Sequence, residues 1–145
     1  MDKKSGKKLK ILVVEDEEIL LTALSEELRQ EGFEVVGAKD GVEGLEKAAA
    51  EQPDLMLLDL VMPRLDGIST LKQMKAQENT KEIPVVILTN LSDYDKISDA
   101  LSMGAMDYLV KANYRLEELV TKIKTVLERR KAGEGGFKVP MPPLS

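Results

Sequence analysis

Residues 55–67 read LMLLDLVMPRLDG, and this stretch decides the fold. Its leading apolar run is typical of a strand buried on both faces of a parallel sheet. Asp59 follows at once, and Pro63 ends the strand because proline has no N–H to donate to a neighbour. Asp66 is then the predicted N-cap of a helix. Ligands bind beyond the carboxyl ends of the strands in such sheets, so Asp59 lies where a functional group is expected, although aspartate can also merely cap a strand end.

Similar apolar runs recur along the chain and alternate with segments that have helical spacing. Gly32 and Gly104 end two of those segments, as glycine commonly does after helices. Strands are predicted over residues 9–14, 34–38, 54–59, 85–89 and 106–110. The first helix is predicted to begin within 15–18 and the second at 41. The other three helices are predicted over about 66–77, 93–103 and 116–129. This alternation predicts an α/β fold with a five-stranded doubly wound parallel sheet, in the flavodoxin-like order 2-1-3-4-5, and five helices.

Length and composition limit the possible functions. A chain of 145 residues suits one domain, and we expect a disordered basic tail at 1–8, a folded domain at 9–130 and a Gly/Pro-rich tail at 131–145. Neither Cys nor His occurs, which excludes disulfides, soft-metal sites and a histidine base. Its apolar runs are too short to span a membrane, so we expect a cytoplasmic protein. The net charge of −5 argues against direct nucleic-acid binding.

Acidic residues follow the first and third predicted strands. These strands are neighbours in the expected order, so Glu15 and Asp16 should meet Asp59 at one edge of the sheet. Three converging carboxylates repel each other, and a hard divalent cation offsets that repulsion. An all-oxygen donor set favours Mg²⁺ or Mn²⁺ over Zn²⁺.

A hydroxyl and an ammonium end the remaining two strands at the same edge, on Thr89 and Lys111. An aspartate carboxylate can act as a nucleophile and carry an acyl phosphate, and it is already ionised at neutral pH. The metal, the hydroxyl and the ammonium would offset charge on a phosphoryl group. The pattern therefore indicates phosphoryl transfer, although Lys111 alone is also compatible with a solvated strand end.

Four motifs resemble the receiver domain of two-component response regulators, over about residues 9–130. They are VVED at 13–16, DLVMPRLDG at 59–67, ILT at 87–89 and DYLVK at 107–111. The resemblance implies that Asp59 accepts phosphate from the histidine of a sensor kinase or from a phosphotransfer protein. It implies Mg²⁺ binding by four groups, namely Glu15, Asp16, Asp59 and the backbone carbonyl of Val61. Thr89 and Lys111 would contact the phosphoryl group.

The same resemblance implies a conformational switch. Thr89 would move toward the phosphate, and the ring of Tyr108 would turn into the space that it leaves. The face formed by the fourth helix, the fifth strand and the fifth helix would then contact a downstream protein. We expect a monomer or weak homodimer with no output domain in this chain.

Three positions depart from the family pattern. Glu15 stands where aspartate is commoner. Asn90 replaces a small residue, and Ala112 replaces a proline whose peptide bond is cis in the family. The geometry of the bond between Lys111 and Ala112 is therefore left open.

Three residues are expected to set the lifetime of the phosphate, namely Val61, Asn90 and Leu91. Because Val61 and Leu91 cannot orient an attacking water, we expect slow hydrolysis of the acyl phosphate.

Three alternatives stay open. A phosphatase or mutase acting through an aspartyl phosphate usually has a second aspartate where this chain has Val61. A flavin carrier of the same fold needs a polar phosphate loop where this chain has the acidic segment 15–18. A degenerate receiver would act only as a docking module, and Ala112 keeps that alternative open.

Overall fold

The computed structural model describes residues 8–90 and 94–131. Within these ranges a parallel sheet has the strand order β2-β1-β3-β4-β5. The strands are β1 Lys10–Val14, β2 Glu34–Ala38, β3 Leu55–Leu58, β4 Val85–Thr89 and β5 Asp107–Val110. The predicted fold class and strand order are confirmed.

Helices follow the strands and cover both faces of the sheet. They are α1 Glu18–Gln30, α2 Gly41–Glu51, α3 Gly67–Lys75, α4 Tyr94–Ser102 and α5 Leu116–Lys131, with a short 3₁₀ helix at Lys111–Asn113. Helices α1 and α5 pack on one face, whereas α2, α3 and α4 pack on the other. None of the helices in the described ranges is long and apolar enough to cross a membrane.

Alternate residues of each central strand enter opposite cores, because successive side chains point to opposite faces of a sheet. Ile11 and Val13 of β1 contact the layer of α1 and α5, whereas Leu12 and Val14 contact the layer of α2 to α4. All four are at most 1% exposed. Burial on both faces explains why these strands are continuous apolar runs rather than alternating ones.

The first helix begins later than predicted. The segment 15–18 was expected to open it, yet α1 starts at Glu18, and Glu17 still has extended backbone angles. The backbone N–H of Glu15 donates to the carbonyl of Ala38 at 2.9 Å and so continues the pairing of β1 with β2. Pairing across the sheet therefore overrides the acidic signal for a helix start, and Glu15 and Asp16 stay in the loop.

Other helix boundaries that the described residues test differ from prediction by one or two residues, as helix ends commonly do. The predicted start of the fourth helix at residue 93 lies outside the described residues. No peptide bond among the described residues is cis, so the bond between Lys111 and Ala112 is trans. The 3₁₀ helix that begins at Lys111 was not predicted. Residues 1–7 and 132–145, which hold most of the two predicted tails, lie outside the described ranges.

Candidate functional site

Acidic residues converge at the carboxyl end of the sheet, where β1 and β3 end side by side. Val14 pairs in register with Leu58, and the N–H of Asp59 donates to the carbonyl of Val14 at 3.1 Å. Glu15 and Asp59 are therefore adjacent, although they are far apart in sequence. Carboxylate oxygens of Glu15, Asp16 and Asp59 lie within 4.8 Å of one another. We call these three residues the acidic cup.

Two members of the acidic cup are almost fully buried. Glu15 is 1% exposed and Asp59 is 5% exposed, whereas Asp16 faces solvent. Burial raises the pKa of Glu15 and of Asp59, because a carboxylate loses its hydration in a low-dielectric environment. The nearby Lys111 ammonium offsets only part of this effect for each carboxyl. The two carboxylates are therefore held in an unfavourable environment when both are ionised.

Lys111 supplies the positive charge at this site. Its Nζ lies 2.7 Å from Oε1 of Glu15, 3.2 Å from Oδ2 of Asp59 and 3.8 Å from Oε1 of Glu17. Burial alone would lower the pKa of Lys111, but the Glu15 and Asp59 carboxylates outweigh it and the pKa is raised. Lys111 therefore stays protonated and bridges the two buried acids.

The donor set of the acidic cup fits a hard divalent cation. Oε1 of Glu15 is buried and receives no hydrogen bond among the described residues, although it forms an ion pair with Lys111. Oε2 of the same carboxylate accepts the N–H of Glu17 at 2.9 Å. One ammonium does not balance the three carboxylates, and every candidate ligand atom is oxygen. The residues present could therefore bind a metal ion.

The loop after Asp59 is held close to the strand end by a glycine. The N–H of Gly67 donates to the carbonyl of Leu60 at 3.0 Å. A Cβ at Gly67 would overlap the carbonyl oxygen of Asp59 and the Cα of Leu60. Asp66 caps α3, as predicted, by accepting the N–H of Ser69 at 2.8 Å. The start of α3 thereby supports the backbone of Asp59 directly.

Thr89 and Tyr108 lie on the same face of the sheet. Thr89 ends β4 and is fully buried, and Tyr108 of β5 is paired in register with Ile87, two residues before Thr89. Tyr108 is half-buried against the layer of α2 to α4. The structure thus places the predicted switch pair on neighbouring strands with their side chains on one face.

The predicted residues that flank the site are more exposed. Val61 is 56% exposed, and its backbone N–H lies 3.3 Å from Oδ1 of Asp59. Asn90 follows β4 and is exposed. Leu91 lies outside the described residues.

Two contacts near the site were not predicted. Glu17 approaches Lys111, and Arg64 forms a two-pronged ion pair with Asp40. Arg64 also has a positive φ of 66°, a backbone conformation usual for glycine. A glycine at this position would have signalled the turn, whereas an arginine gives no such signal. The partner of Arg64, Asp40, was recognised only as the start of a helix.

Comparison with known proteins identifies relatives across most of the chain. The family model of the response regulator receiver domain matches residues 11–124. The transcriptional regulatory protein PrrA of Mycobacterium tuberculosis is 42% identical over 121 residues, which cover 83% of this chain and 51% of PrrA. The chain spans about half the length of the curated relatives it matches.

Solved structures agree with the sequence comparison. One is the receiver domain of the sensor histidine kinase PA1611 from Pseudomonas aeruginosa, which has a magnesium ion coordinated in its active-site cleft. Its TM-score is 0.74 and its sequence identity 30%, and the match covers 84% of this chain and 99% of the PA1611 chain. Another is the phosphorylated cyanobacterial phytochrome response regulator RcpA, with a TM-score of 0.74 and 28% identity. The match covers 88% of this chain and 96% of the RcpA chain. This chain therefore belongs to the response regulator receiver domains of two-component signalling.

Proposed function

We propose that this protein is a phosphoacceptor switch, in which Asp59 accepts a phosphoryl group from the phosphohistidine of a sensor kinase or phosphotransfer protein. The observation that carries the proposal is the buried Asp59 carboxylate, which lies between the other acids of the cup and the Lys111 ammonium. The magnesium ion in the PA1611 cleft and the phosphorylated state of RcpA support this assignment by similarity.

Asp59 is the nucleophile in the proposed reaction. One of its carboxylate oxygens bonds to phosphorus while the N–P bond of the phosphohistidine breaks and the imidazole nitrogen keeps the electron pair. The product is an acyl phosphate on Asp59. Burial prepares this carboxylate for attack, because little hydration has to be removed from it.

The remaining residues of the site have supporting roles. A divalent cation, Mg²⁺ or Mn²⁺, would neutralise charge on the phosphoryl oxygens. The groups that would hold it are Glu15, Asp16, Asp59 and the carbonyl of Val61. Lys111 would donate to one phosphoryl oxygen and the hydroxyl of Thr89 to another.

The proposed output is a change in a protein-interaction face. Phosphorylation adds roughly −1.5 to −2 charges and three acceptor oxygens at the site. Movement of Thr89 toward them would let Tyr108 turn inward, which changes the face formed by α4, β5 and α5. A complete switch from 1:99 to 99:1 requires about 5.5 kcal/mol of preference for one state. The chain would catalyse only its own phosphorylation and dephosphorylation, in the cytoplasm, as a monomer or weak homodimer.

Substitution at the acceptor tests this proposal directly. The parent protein is incubated with acetyl phosphate and Mg²⁺, and its intact mass is measured over time. We expect the mass of one phosphate to be gained by the parent and not by Asp59→Asn. The matched control is Asp54→Asn, which makes the same change just before β3 rather than just after it. Equal phosphate gain in Asp59→Asn and the parent contradicts the assignment of Asp59.

The lifetime of the phosphate gives a second prediction. The side chain of Val61 is exposed but cannot orient a water for attack on the acyl phosphate. We expect Val61→Asn and Leu91→Glu each to speed dephosphorylation by about tenfold, because each replaces an apolar side chain with a polar one that can orient an attacking water. Decay of radiolabelled protein after removal of the phosphodonor measures this rate. Decay as slow as that of the parent refutes a role for Val61 and Leu91.

A further inference from the structure

A two-pronged ion pair joins the loop of Asp59 to the neighbouring helix start. Nε of Arg64 lies 2.8 Å from Oδ2 of Asp40, and Nη2 of Arg64 lies 3.1 Å from Oδ1. Planar, two-pronged pairing of this kind defines an orientation as well as a distance. Oδ1 of Asp40 also accepts the N–H of Glu43 at 2.9 Å, so it caps α2 at the same time. The guanidinium of Arg64 therefore binds a carboxylate that is already held in place.

Arg64 adopts a backbone conformation that an arginine does not favour. Its φ of 66° is in the left-handed region, where the Cβ of a non-glycine residue is crowded. The next residue, Leu65, has its N–H bonded to the carbonyl of Pro63 at 2.7 Å, which makes the turn tight. A strained residue in a tight turn persists only where surrounding contacts hold it. The pair with Asp40 is one contact that holds Arg64.

Close backbone packing reinforces the same junction. A Cβ at Gly41 would overlap the carbonyl oxygen of Leu65 and the hydroxyl of Thr70, so the start of α2 lies directly against the loop. The hydroxyl of Thr70 donates to the carbonyl of Asp66 at 2.7 Å, which ties α3 to the end of that loop. The position of Arg64 is therefore determined by two helix starts together.

This junction connects the two halves of the acidic cup. On one side, only two residues separate Arg64 from Val61, whose N–H lies 3.3 Å from the Asp59 carboxylate. On the other side, the strand that leads to Asp40 ends at Ala38, whose carbonyl accepts the N–H of Glu15 at 2.9 Å. The pair thus spans from the backbone that carries Asp59 to the backbone that positions Glu15.

We propose that Arg64 is a positioning residue, whose pair with Asp40 sets the spacing between the Asp59 loop and the Glu15 strand end and thereby tunes cation affinity. This role rests on the proposed function. Both partners are partly exposed, with side chains 59% and 13% accessible, so the pair contributes little to global stability. Its effect is instead on the geometry of the acidic cup.

Metal titration of matched variants tests this role. Binding of Mn²⁺ is measured by calorimetry for the parent, Arg64→Gly, Arg64→Lys, Asp40→Asn and the double variant Arg64→Gly/Asp40→Asn. Asn at position 40 keeps an oxygen to cap α2, and Lys at position 64 keeps the charge without the planar fork. The control is Lys124→Ala, which breaks the 2.8 Å exposed pair between α5 and Glu31, the residue that follows α1.

We expect Arg64→Gly and Asp40→Asn each to weaken Mn²⁺ binding by about three- to tenfold. This loss is somewhat smaller than the loss expected when a residue that hydrogen-bonds directly to a metal ligand is removed. The double variant should lose no more than the larger single loss, because both changes remove one interaction. Arg64→Lys should be intermediate, and Lys124→Ala should match the parent. The thermal midpoints of the Arg64 and Asp40 variants should stay within a few degrees of that of the parent. At saturating Mg²⁺, their phosphorylation by acetyl phosphate should reach the level of the parent.

Three outcomes overturn the role of Arg64. The first is parent-like Mn²⁺ affinity in both single variants. The second is additive losses in the double variant, and the third is an equal loss in Lys124→Ala. A parent protein that neither binds Mn²⁺ nor gains phosphate refutes the proposed function itself, and the role of Arg64 with it. A parent that does both, beside unaffected variants, refutes only the role of Arg64.

Discussion

Two clusters that join a lysine to carboxylates lie at opposite ends of the sheet. At the carboxyl end, Nζ of Lys111 lies 2.7 Å from Glu15 and 3.2 Å from Asp59, whose side chains are 1% and 6% exposed. At the amino end, Nζ of Lys10 lies 2.9 Å from Glu51, whose side chain is 40% exposed. The residue types are the same at both ends, and the difference is burial.

That difference separates a solvent-screened cluster from a desolvated one. Water screens the charges around Lys10, and an exposed pair of this kind is worth at most about 1 kcal/mol. At Lys111 two acids have lost their hydration, and Asp16 adds a third carboxylate beside them. Such a cluster is stabilised by binding a cation, so it is suited to metal-assisted chemistry.

Removing each lysine in turn should show the contrast most strongly. We expect Lys111→Met to slow phosphorylation by about 100-fold at saturating Mg²⁺, because one donor to the charge that develops on the phosphoryl group is lost. Lys10→Met should stay within about twofold of the parent, as expected of a surface change away from the site. Mass spectrometry during incubation with acetyl phosphate gives both rates. Comparable slowing in the two variants would remove the distinction between the clusters.

Neutralising one aspartate at each end should change stability in opposite directions. Burial raises the pKa of Asp59, so its ionised form costs folding free energy at about pH 7. Asp59→Asn should therefore raise the free energy of unfolding by about 1 kcal/mol in metal-free buffer. Asp54→Asn should lower it by about 0.5 kcal/mol, because Asn can still accept the backbone N–H of Lys10 but no longer attracts the Lys10 ammonium.

Urea denaturation in the presence of a chelator measures both free energies. If both substitutions change the free energy of unfolding in the same direction, the ionised acids at the carboxyl end do not destabilise the fold as proposed.

The smallest expected effect is the pH dependence of the amino-end cluster. The hydrogen bond to Glu51 raises the pKa of Lys10 above its ordinary value. A lysine with a raised pKa in the folded state contributes stability that is present below its ordinary pKa and is lost as the pH rises through the raised value.

The parent should therefore exceed Lys10→Met in unfolding free energy by less than about 1 kcal/mol near pH 8. The difference should disappear as the pH rises through the raised pKa of Lys10. Denaturation curves across this range test the prediction. A difference that persists at the highest pH would assign the contribution of Lys10 to packing rather than to charge.

Prediction from the sequence succeeded where a pattern has a local cause. Continuous apolar runs such as 55–58 arise because strands covered on both faces cannot carry polar side chains. Asp40 and Asp66 were recognisable as helix starts because a short acidic side chain can accept a backbone N–H of the first turn.

Prediction failed where a distant partner decides the local structure. The acidic segment 15–18 has the composition of a helix start, yet the bond between Glu15 and Ala38 keeps its first residues out of the helix. The contact of Glu17 with Lys111 is a similar case, because Lys111 follows the last strand of the sheet. Neither feature depends on neighbours in sequence alone.

The order of apolar and polar residues by itself determined the class of fold, the strand order and the end of the sheet where the acidic residues belong. Only the tertiary structure decided how deeply Glu15 and Asp59 are buried, that Lys111 bridges them and that Arg64 binds Asp40. The reason is that periodicity and capping act over a few neighbouring residues. Desolvation and ion pairing depend on which strands and loops lie side by side in space.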